Sequence, residues 1–461
     1  MSTRKEKDSL GEIEVDNEAL WGAQTQRSLE NFRIGSQIFP KQFIHNYAQL
    51  KKAAALSNHE LGKLDKERSQ LIVKACDEII AGQHDEQFPL AVWQTGSGTQ
   101  TNMNLNEVIA NRANEIAGKK RGGNKPIHPN DHVNLSQSSN DTFPSVMHMC
   151  SAMLVTQNLL PALTKLLTEL RLKAEEFDKK IKSGRTHMMD ATPVTLGQEF
   201  SAYVNQLAFC HSKISSSLQT IYPLAIGGSA VGTGLNTHPE WSPTICKKIA
   251  AQCNLPFTSA DNKFSALASH GPLSELHGQL KLLATELFKI ANDLRLMASG
   301  PRCGLNEIQL PANEPGSSIM PGKVNPTQIE ALTMVCLQVI GNDSAVTMAN
   351  TQGQFELNVY KPLIIHNVIE SIQLLSDAIN SFTNNCVKEI RANDDKLQHY
   401  VESSLMLVTA LTPHIGYDNA AKVAKLAFEN NITLKQAVLD LGLMSEKEFE
   451  GRIDVETMLR V

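Results

Sequence analysis

Three stretches of this chain repeat apolar residues at alternating steps of three and four. The first runs through Phe200, Val204, Leu207, His211, Ile214, Leu218 and Ile221. The second runs through Leu273, Leu276, Leu280, Leu283, Leu287, Ile290, Leu294 and Met297, and the third through Ile365, Val368, Ile372, Leu375, Ile379 and Phe382. Such spacing gathers side chains on one face of an α-helix, whereas a strand needs a period of two. The pattern predicts long helices, each with an apolar seam, packed near-parallel at a shallow angle. At about 25–30 residues each would be ~40–45 Å long. Leu282, Phe288 and Leu296 widen the faces beyond a two-stranded seam, which predicts a bundle that also contacts other subunits. His211 is the one polar residue on its seam and is expected to be a satisfied core histidine rather than a ligand. Pro161 should kink or interrupt the helical stretch that follows Pro144.

A chain of 461 residues can bury a large core and should form two or three domains. Its net charge of −5 leaves no basic face for nucleic acid or an anionic membrane, though a small anion can still bind where local charge opposes the global sign. The eight cysteines stand singly, at 76, 150, 210, 246, 253, 303, 336 and 386, which reads as reduced, mostly buried thiols rather than disulfides or a zinc site. No run of ~18 apolar residues is evident, so no membrane span is expected. The first residues lack a leader's character, and a cytoplasmic location is the expectation.

Between the helical stretches lie polar loops. Glu314–Pro326 packs two Gly, three Pro, two adjacent Ser, one Lys and one Asn into thirteen positions, a density that only a loop tolerates. Gly316 to Lys323 superficially suggests a phosphate loop, but one residue too many separates the glycines, and Val324 stands where a magnesium-binding hydroxyl is required. A plain linker is the bland alternative. Thr95–Asn104 begins like a dinucleotide fingerprint, yet Thr101 replaces the third glycine and no clear strand precedes it. It reads as a polar turn before a helix starting near Asn104, with hydroxyls and N–H groups suited to a carboxylate. His128 and His132 are four apart, but Pro129 argues against a helix presenting both to a metal. Gly227–Asn236 is Gly-rich but lacks Rossmann strands. Ser183–Pro193 carries His187 beside Thr186 just before a helix, and Gln352–Lys361 precedes a helix beginning near Pro362. After about Asp394 short helices are expected, broken at Pro413, Gly416 and Gly442. The segment from Ile432 to Phe449 weakly suggests a DNA-reading helix pair, but seven acids face three bases between Glu429 and Glu456. Hydroxyls, amides, one Lys and one His on four loops suit proton abstraction beside a carboxylate, with preorganised donors absorbing the charge.

These segments resemble the fumarase/aspartase superfamily. Gly316–Asn325 matches its Gly-Ser-Ser-x-Met-x-x-Lys-x-Asn pattern, and Thr95–Gln100, His128–Asp131, Ser138–Asn140 and Thr186–His187 match its other segments in order. Thr-Gly-Ser-Gly-Thr-Gln at 95–100 and Pro-Gly-Lys at 321–323 are similar to class II fumarases rather than aspartases, so aspartate ammonia-lyase activity is the runner-up. A relative that kept the bundle and lost catalysis is a further alternative. The resemblance implies a mainly α, three-domain fold (1–137 mixed and mostly helical, 138–394 a central long-helix bundle, 395–461 a small helical domain) whose bundles form a twenty-helix tetramer core. It implies reversible hydration of fumarate to malate, with Ser317 as base and His187 orienting or protonating the departing water. Glu330 would pair with that histidine from another chain. Lys323, Asn325, Ser318 and Asn140 would hold the aci-carboxylate, and Ser97, Thr99, Ser138 and Ser139 the other carboxylate, with Gly98, Thr186 and Val324 lining the site. Lys125, His128, Pro129, Asn130 and Asp131 would form a second dicarboxylate site. Lys125 stands where Arg is common and Ser229 where Thr is usual. Active sites would be composite, drawn from three subunits of a homotetramer, and no metal or organic cofactor is expected.

Overall fold

The structure is a computed structural model that describes residues 2–459. It opens on an antiparallel hairpin of β1 (Thr3–Asp8) and β2 (Gly11–Asp16), followed by α1 (Ala23–Asn31). The helical spacing from Ile44 to Ile80 becomes α2 (Lys41–Glu60) and α3 (Lys66–Ile80). Gly62 separates them in the left-handed conformation, and Asp65 caps the second by accepting from Arg68 N. Then come α4 (Thr99–Ile116), α5 (Ser139–Leu154) and α6 (Leu160–Glu176). A hairpin of β3 (Ile181–Thr186) and β4 (Met189–Thr195) leads into α7 (Leu196–Ile221). Further on lie β5 (Pro223–Leu224), α8 (Trp241–Cys253), β6 (Thr258–Ser259), α9 (Lys263–Ala268) and α10 (Gly271–Met297). β7 (Ile308–Gln309), α11 (Thr327–Asn350), α12 (Lys361–Asn385) and β8 (Arg391–Ala392) follow. The chain ends in shorter helices: α13 (Asp394–Ser403), α14 (Thr412–Ile415), α15 (Tyr417–Asn430), α16 (Leu434–Asp440) and α17 (Glu446–Arg452).

The residues fall into two compact units. The first takes the chain up to Pro161, His211–Ala284 and Val335–Ser376; the second takes Ala162–Cys210, Thr285–Met334 and Asp377 onward. In the first unit α2 packs on α3, α5 and α8, around an aromatic cluster of Phe39, Phe43, Tyr47 and Phe143. Polar bonds tie its long helices: His277 contacts Asp343 Oδ1 at 3.1 Å and Ser371 Oγ at 2.9 Å, joining α10, α11 and α12. In the second unit Phe177, Phe200 and Tyr203 stack edge to face, and α13 packs on β3. A separate apolar cluster, from Leu407 to Val438, lies under the terminal helices.

The seams on α10 and α12 are buried as their spacing predicts. On α7 Phe200, Leu207, Ile214, Leu218 and Ile221 are buried as predicted, while Val204 and His211 are half-buried and Tyr203 and Cys210 are buried beside them. Steps of three and four fit either choice at those two positions, and His211 is half-buried rather than in the core. The helix expected near Asn104 starts earlier, at Thr99, because Gly98 at φ +74° turns the chain directly into it. The helical stretch placed after Pro144 begins before it, at a capping box of Ser138 and Asp141. The interruption expected at Pro161 is a π-turn at Val155–Leu159, where Leu160 N reaches Val155 O. A proline lacks its N–H and crowds the carbonyl four residues back, which a wider turn relieves. Pro413 opens α14 instead of breaking a helix. Ser139–Glu176 passes the length and composition criteria for a membrane span that the sequence reading did not expect, but 61% of its apolar window is buried inside the protein, as in a core helix.

Candidate active site

The first unit assembles the 95–99 and 138–140 segments on one polar scaffold. Gly98 precedes α4 in the left-handed conformation, and a Cβ there would lie 2.2 Å from the Phe143 ring. Gly96 is as constrained, since a Cβ would fall 1.3 Å from Val359 O, while its own carbonyl accepts from Lys361 N at 3.1 Å. Two glycines therefore seat the loop against α5 and the start of α12. Ser97 Oγ and Thr99 Oγ1 share a hydrogen bond of 2.8 Å at the N-terminus of α4, a helix end whose dipole favours an anion.

Ser138 caps α5, its Oγ accepting from Asn140 N at 3.2 Å. Ser139 Oγ accepts from Asn102 Nδ2 at 3.2 Å, and Asn140 Nδ2 donates to Ala230 O at 2.8 Å. Beneath them lies a network that the sequence reading missed. Asn134 Oδ1 accepts from Lys51 Nζ at 3.1 Å and from the side-chain amides of Asn102 and Asn106 at 3.2 Å. Tyr47 OH donates to Asn102 Oδ1 at 2.9 Å. The buried Asp141 carboxylate accepts from Gly227 N at 3.0 Å and Ser229 N at 2.9 Å, which anchors the Gly-rich loop. Burial pulls the Lys51 ammonium down to about 7, opposed by the Asp141 charge. Burial also pushes Asp141 up to about 6, opposed by its backbone donors. Two signals were present in the sequence: a lysine in line with Phe43, Tyr47 and Ala54, and several asparagines, poor helix formers, crowding α4.

His128 caps the turn Pro129–Val133, a π-helix where no helix was expected. Its Nδ1 accepts from Asn130 N and Asp131 N at 3.2 Å, and His132 Nδ1 accepts from His128 N at 2.8 Å. Both rings thus serve backbone donors. Because Nδ1 of His128 accepts, the Asp131 carboxylate 3.4 Å away makes no ion pair with it. Lys125 and Asp131 are exposed. A cavity of about 280 Å³ touches His128, Pro129 and Asn130, and its walls include Glu6, Asp8 and Glu107. Among the described residues no group of three or more His, Cys, Asp or Glu is placed to hold a metal ion.

The second unit carries the other segments. His187 and Met188 form the two-residue turn between β3 and β4, with φ of +56° and +64°. Turns of this kind favour Asn-Gly, so two consecutive left-handed residues with full side chains store strain at the histidine. The sequence reading missed this hairpin because His-Met is not a turn signature. Thr186 and His187 are exposed.

In the Glu314–Pro326 loop Gly316 N donates to Lys323 O at 2.9 Å, and Asn325 Nδ2 donates to Gly316 O, closing the loop at its base. A Cβ at Gly316 would lie 2.3 Å from Lys323 O. Inside this ring Ser317 Oγ accepts from Met320 N at 3.0 Å and Ile319 N at 3.3 Å. A serine closing a turn does the same, but two N–H groups on one hydroxyl oxygen also stabilise its alkoxide. Ser318, Lys323 and Val324 are exposed, and Glu330 is exposed in the first turn of α11.

A sequence model of the lyase family matches residues 11–341, and a model of the fumarase C C-terminus matches residues 407–460. The class II fumarate hydratase of Thermosynechococcus vestitus is 60% identical over 457 residues, covering 99% of this chain and 98% of the relative. That of Helicobacter pylori strain J99 is 55% identical over 459 residues, covering 100% and 99%. Among solved structures, a class II fumarase from Schistosoma mansoni superposes with a TM-score of 0.96 at 46% identity, covering 98% of both chains. A fumarate lyase:delta crystallin from Brucella melitensis gives 0.95 at 40% identity, covering 100% of both. The chain belongs to the lyase family and has its mainly helical fold. Within that family its full-length relatives set it among the class II fumarate hydratases.

Proposed function

We propose that this chain catalyses the reversible hydration of fumarate to (S)-malate by anti addition and elimination of water. Ser317, as alkoxide, removes a proton from C3 of malate. The electron pair passes into the adjacent carboxylate, giving an aci-carboxylate, and its collapse expels the C2 hydroxyl as water with a proton supplied through His187. The observation that carries the base assignment is the pair of loop N–H groups donating to Ser317 Oγ. A free serine hydroxyl is a poor base, and such donors lower the cost of its alkoxide.

Lys323, Asn325, Ser318 and Asn140 hold the aci-carboxylate, while Ser97, Thr99, Ser138 and Ser139 place the other carboxylate. Gly98, Thr186 and Val324 complete the lining. Glu330 of the partner subunit pairs with His187 and orients its ring. The acting form is a homotetramer with composite sites. In support, Met334, Leu337 and Met348 form an exposed apolar stripe along α11, and Ile319 is 84% exposed in the catalytic loop. The three-domain division at about residues 137 and 394 belongs to the same proposal, supported at its end by the separate cluster under α15 and α16. So do the second dicarboxylate site at Lys125 and His128–Asp131, a cytoplasmic location and a role in the tricarboxylic acid cycle. The test is fumarate-dependent loss of ultraviolet absorbance with the purified protein; no loss would overturn the proposal.

A further inference from the structure

The second unit buries one carboxylate that none of the steps above uses. Glu307, fully buried, lies just before β7 on the segment leading to the Ser317 loop. Its Oε1 accepts from Arg185 Nη1 at 2.7 Å, and its Oε2 lies 2.9 Å from Lys182 Nζ. The second contact is ionic only, since Oε2 accepts no directed hydrogen bond. Lys182 Nζ also donates to both oxygens of Glu199, at 3.0 and 2.8 Å. The Arg185 guanidinium sits 5.5 Å over the Tyr400 ring.

Lys182 and Arg185 are three residues apart on β3, so strict alternation would send them to opposite faces. The register of β3 against β4 shifts between Ser183 and Arg185, with the extra residue on β4, and beside this irregularity both long cationic side chains reach the same carboxylate. Gly184 permits the bulge, because a Cβ there would lie 2.5 Å from Thr192 O. Arg185 adjoins Thr186 and the left-handed His187–Met188 turn. Glu307 is fixed in turn by its backbone, donating to Met297 O at 2.8 Å and accepting from Asn393 N at 2.9 Å. Apolar groups of similar volume would fill such a place at lower desolvation cost, so packing alone does not account for the charges.

We propose that Glu307 is a positioning residue: by holding Lys182 and Arg185 across the bulge, it fixes the His187 turn relative to the stem of the Ser317 loop. This rests on the reading that His187 and Ser317 act in fumarate hydration. The test compares Glu307→Gln, which keeps the shape and loses the charge, with Glu307→Asp, which keeps the charge and loses reach. Steady-state fumarate hydration is measured per folded chain. Glu307→Gln should lower kcat at least ~10-fold with KM within ~3-fold, and Glu307→Asp should be the less impaired of the two. A packing role gives the reverse ranking. An unchanged kcat per folded chain in Glu307→Gln, or Gln outperforming Asp, would overturn the proposal. Where Glu307→Gln does not fold, Arg185→Lys, which keeps the charge but loses the planar fork, should show the same kcat-selective loss; an intact kcat overturns the proposal. Inactive wild-type protein overturns the functional reading and this proposal together. Active wild type with unaffected variants overturns this proposal alone.

Discussion

The loops proposed to hold carboxylates and the loops proposed to carry the chemistry are built in opposite ways. Ser138 and Ser139 rest on a buried network in which Lys51, Asn102, Asn134 and Asp141 satisfy one another and the backbone. His187, Ser318 and Lys323 stand exposed on a hairpin turn and on the Glu314–Pro326 loop, where hydrogen bonds are made chiefly by the backbone. Donors that bind an anion gain from being fixed before it arrives, since none of the binding energy then goes into ordering them. Groups that close over a substrate need freedom to move, which buried networks deny. The difference assigns separate kinetic signatures: the first region should govern KM, and the second kcat.

Ser317→Ala tests the second region most severely. It should lower kcat by ~10³-fold or more with the circular dichroism spectrum unchanged, since it removes the proposed base and no buried contact. His187→Asn should follow, lowering kcat by about 10²-fold with a smaller change in KM, as loss of a general acid does. Ser139→Ala should invert the pattern, raising KM about 10-fold while kcat falls less. Equal effects on KM and kcat from both regions would erase the distinction drawn here. Gly98→Ala strains a left-handed residue and drives a methyl into Phe143, so urea unfolding should show a loss of about 2 kcal/mol or more together with a raised KM.

The smallest effect concerns Lys51. Burial lowers its folded-state value to about 7, while the unfolded chain keeps its proton to 10.5. The folded protein therefore binds fewer protons in that window, so this contribution to stability is present above 10.5 and is lost as pH falls through 7. Lys51→Met should flatten the rise in stability between pH 7 and 9 by up to ~1.4 kcal/mol per pH unit. Lys361, lowered in the same way, would retain its own share of the slope. Denaturant titrations at the two pH values measure the change, and an unaltered slope would contradict it.

The long helices were legible because α10 and α12 bury a single apolar line that periodicity states directly. The line on α7 was legible except at Val204 and His211, where Tyr203 and Cys210 satisfy the same steps and are the ones buried. The Glu314–Pro326 loop was legible from its breakers and its Ser-Ser, Lys and Asn. Its internal ring was not, because the Gly316–Lys323 bond depends on backbone angles that composition does not encode. Glu307 was invisible for a further reason: what matters is that Lys182 and Arg185, at odd spacing beside a strand irregularity, reach one buried carboxylate, and neither feature leaves a periodic trace.

The separation of holding from chemistry is tested most directly by measuring fumarate binding to Ser317→Ala by calorimetry. The loops of the first unit should bind fumarate with a Kd within a few-fold of the wild-type KM while turnover is abolished. Loss of binding along with turnover, or binding with near-normal turnover, would contradict the account.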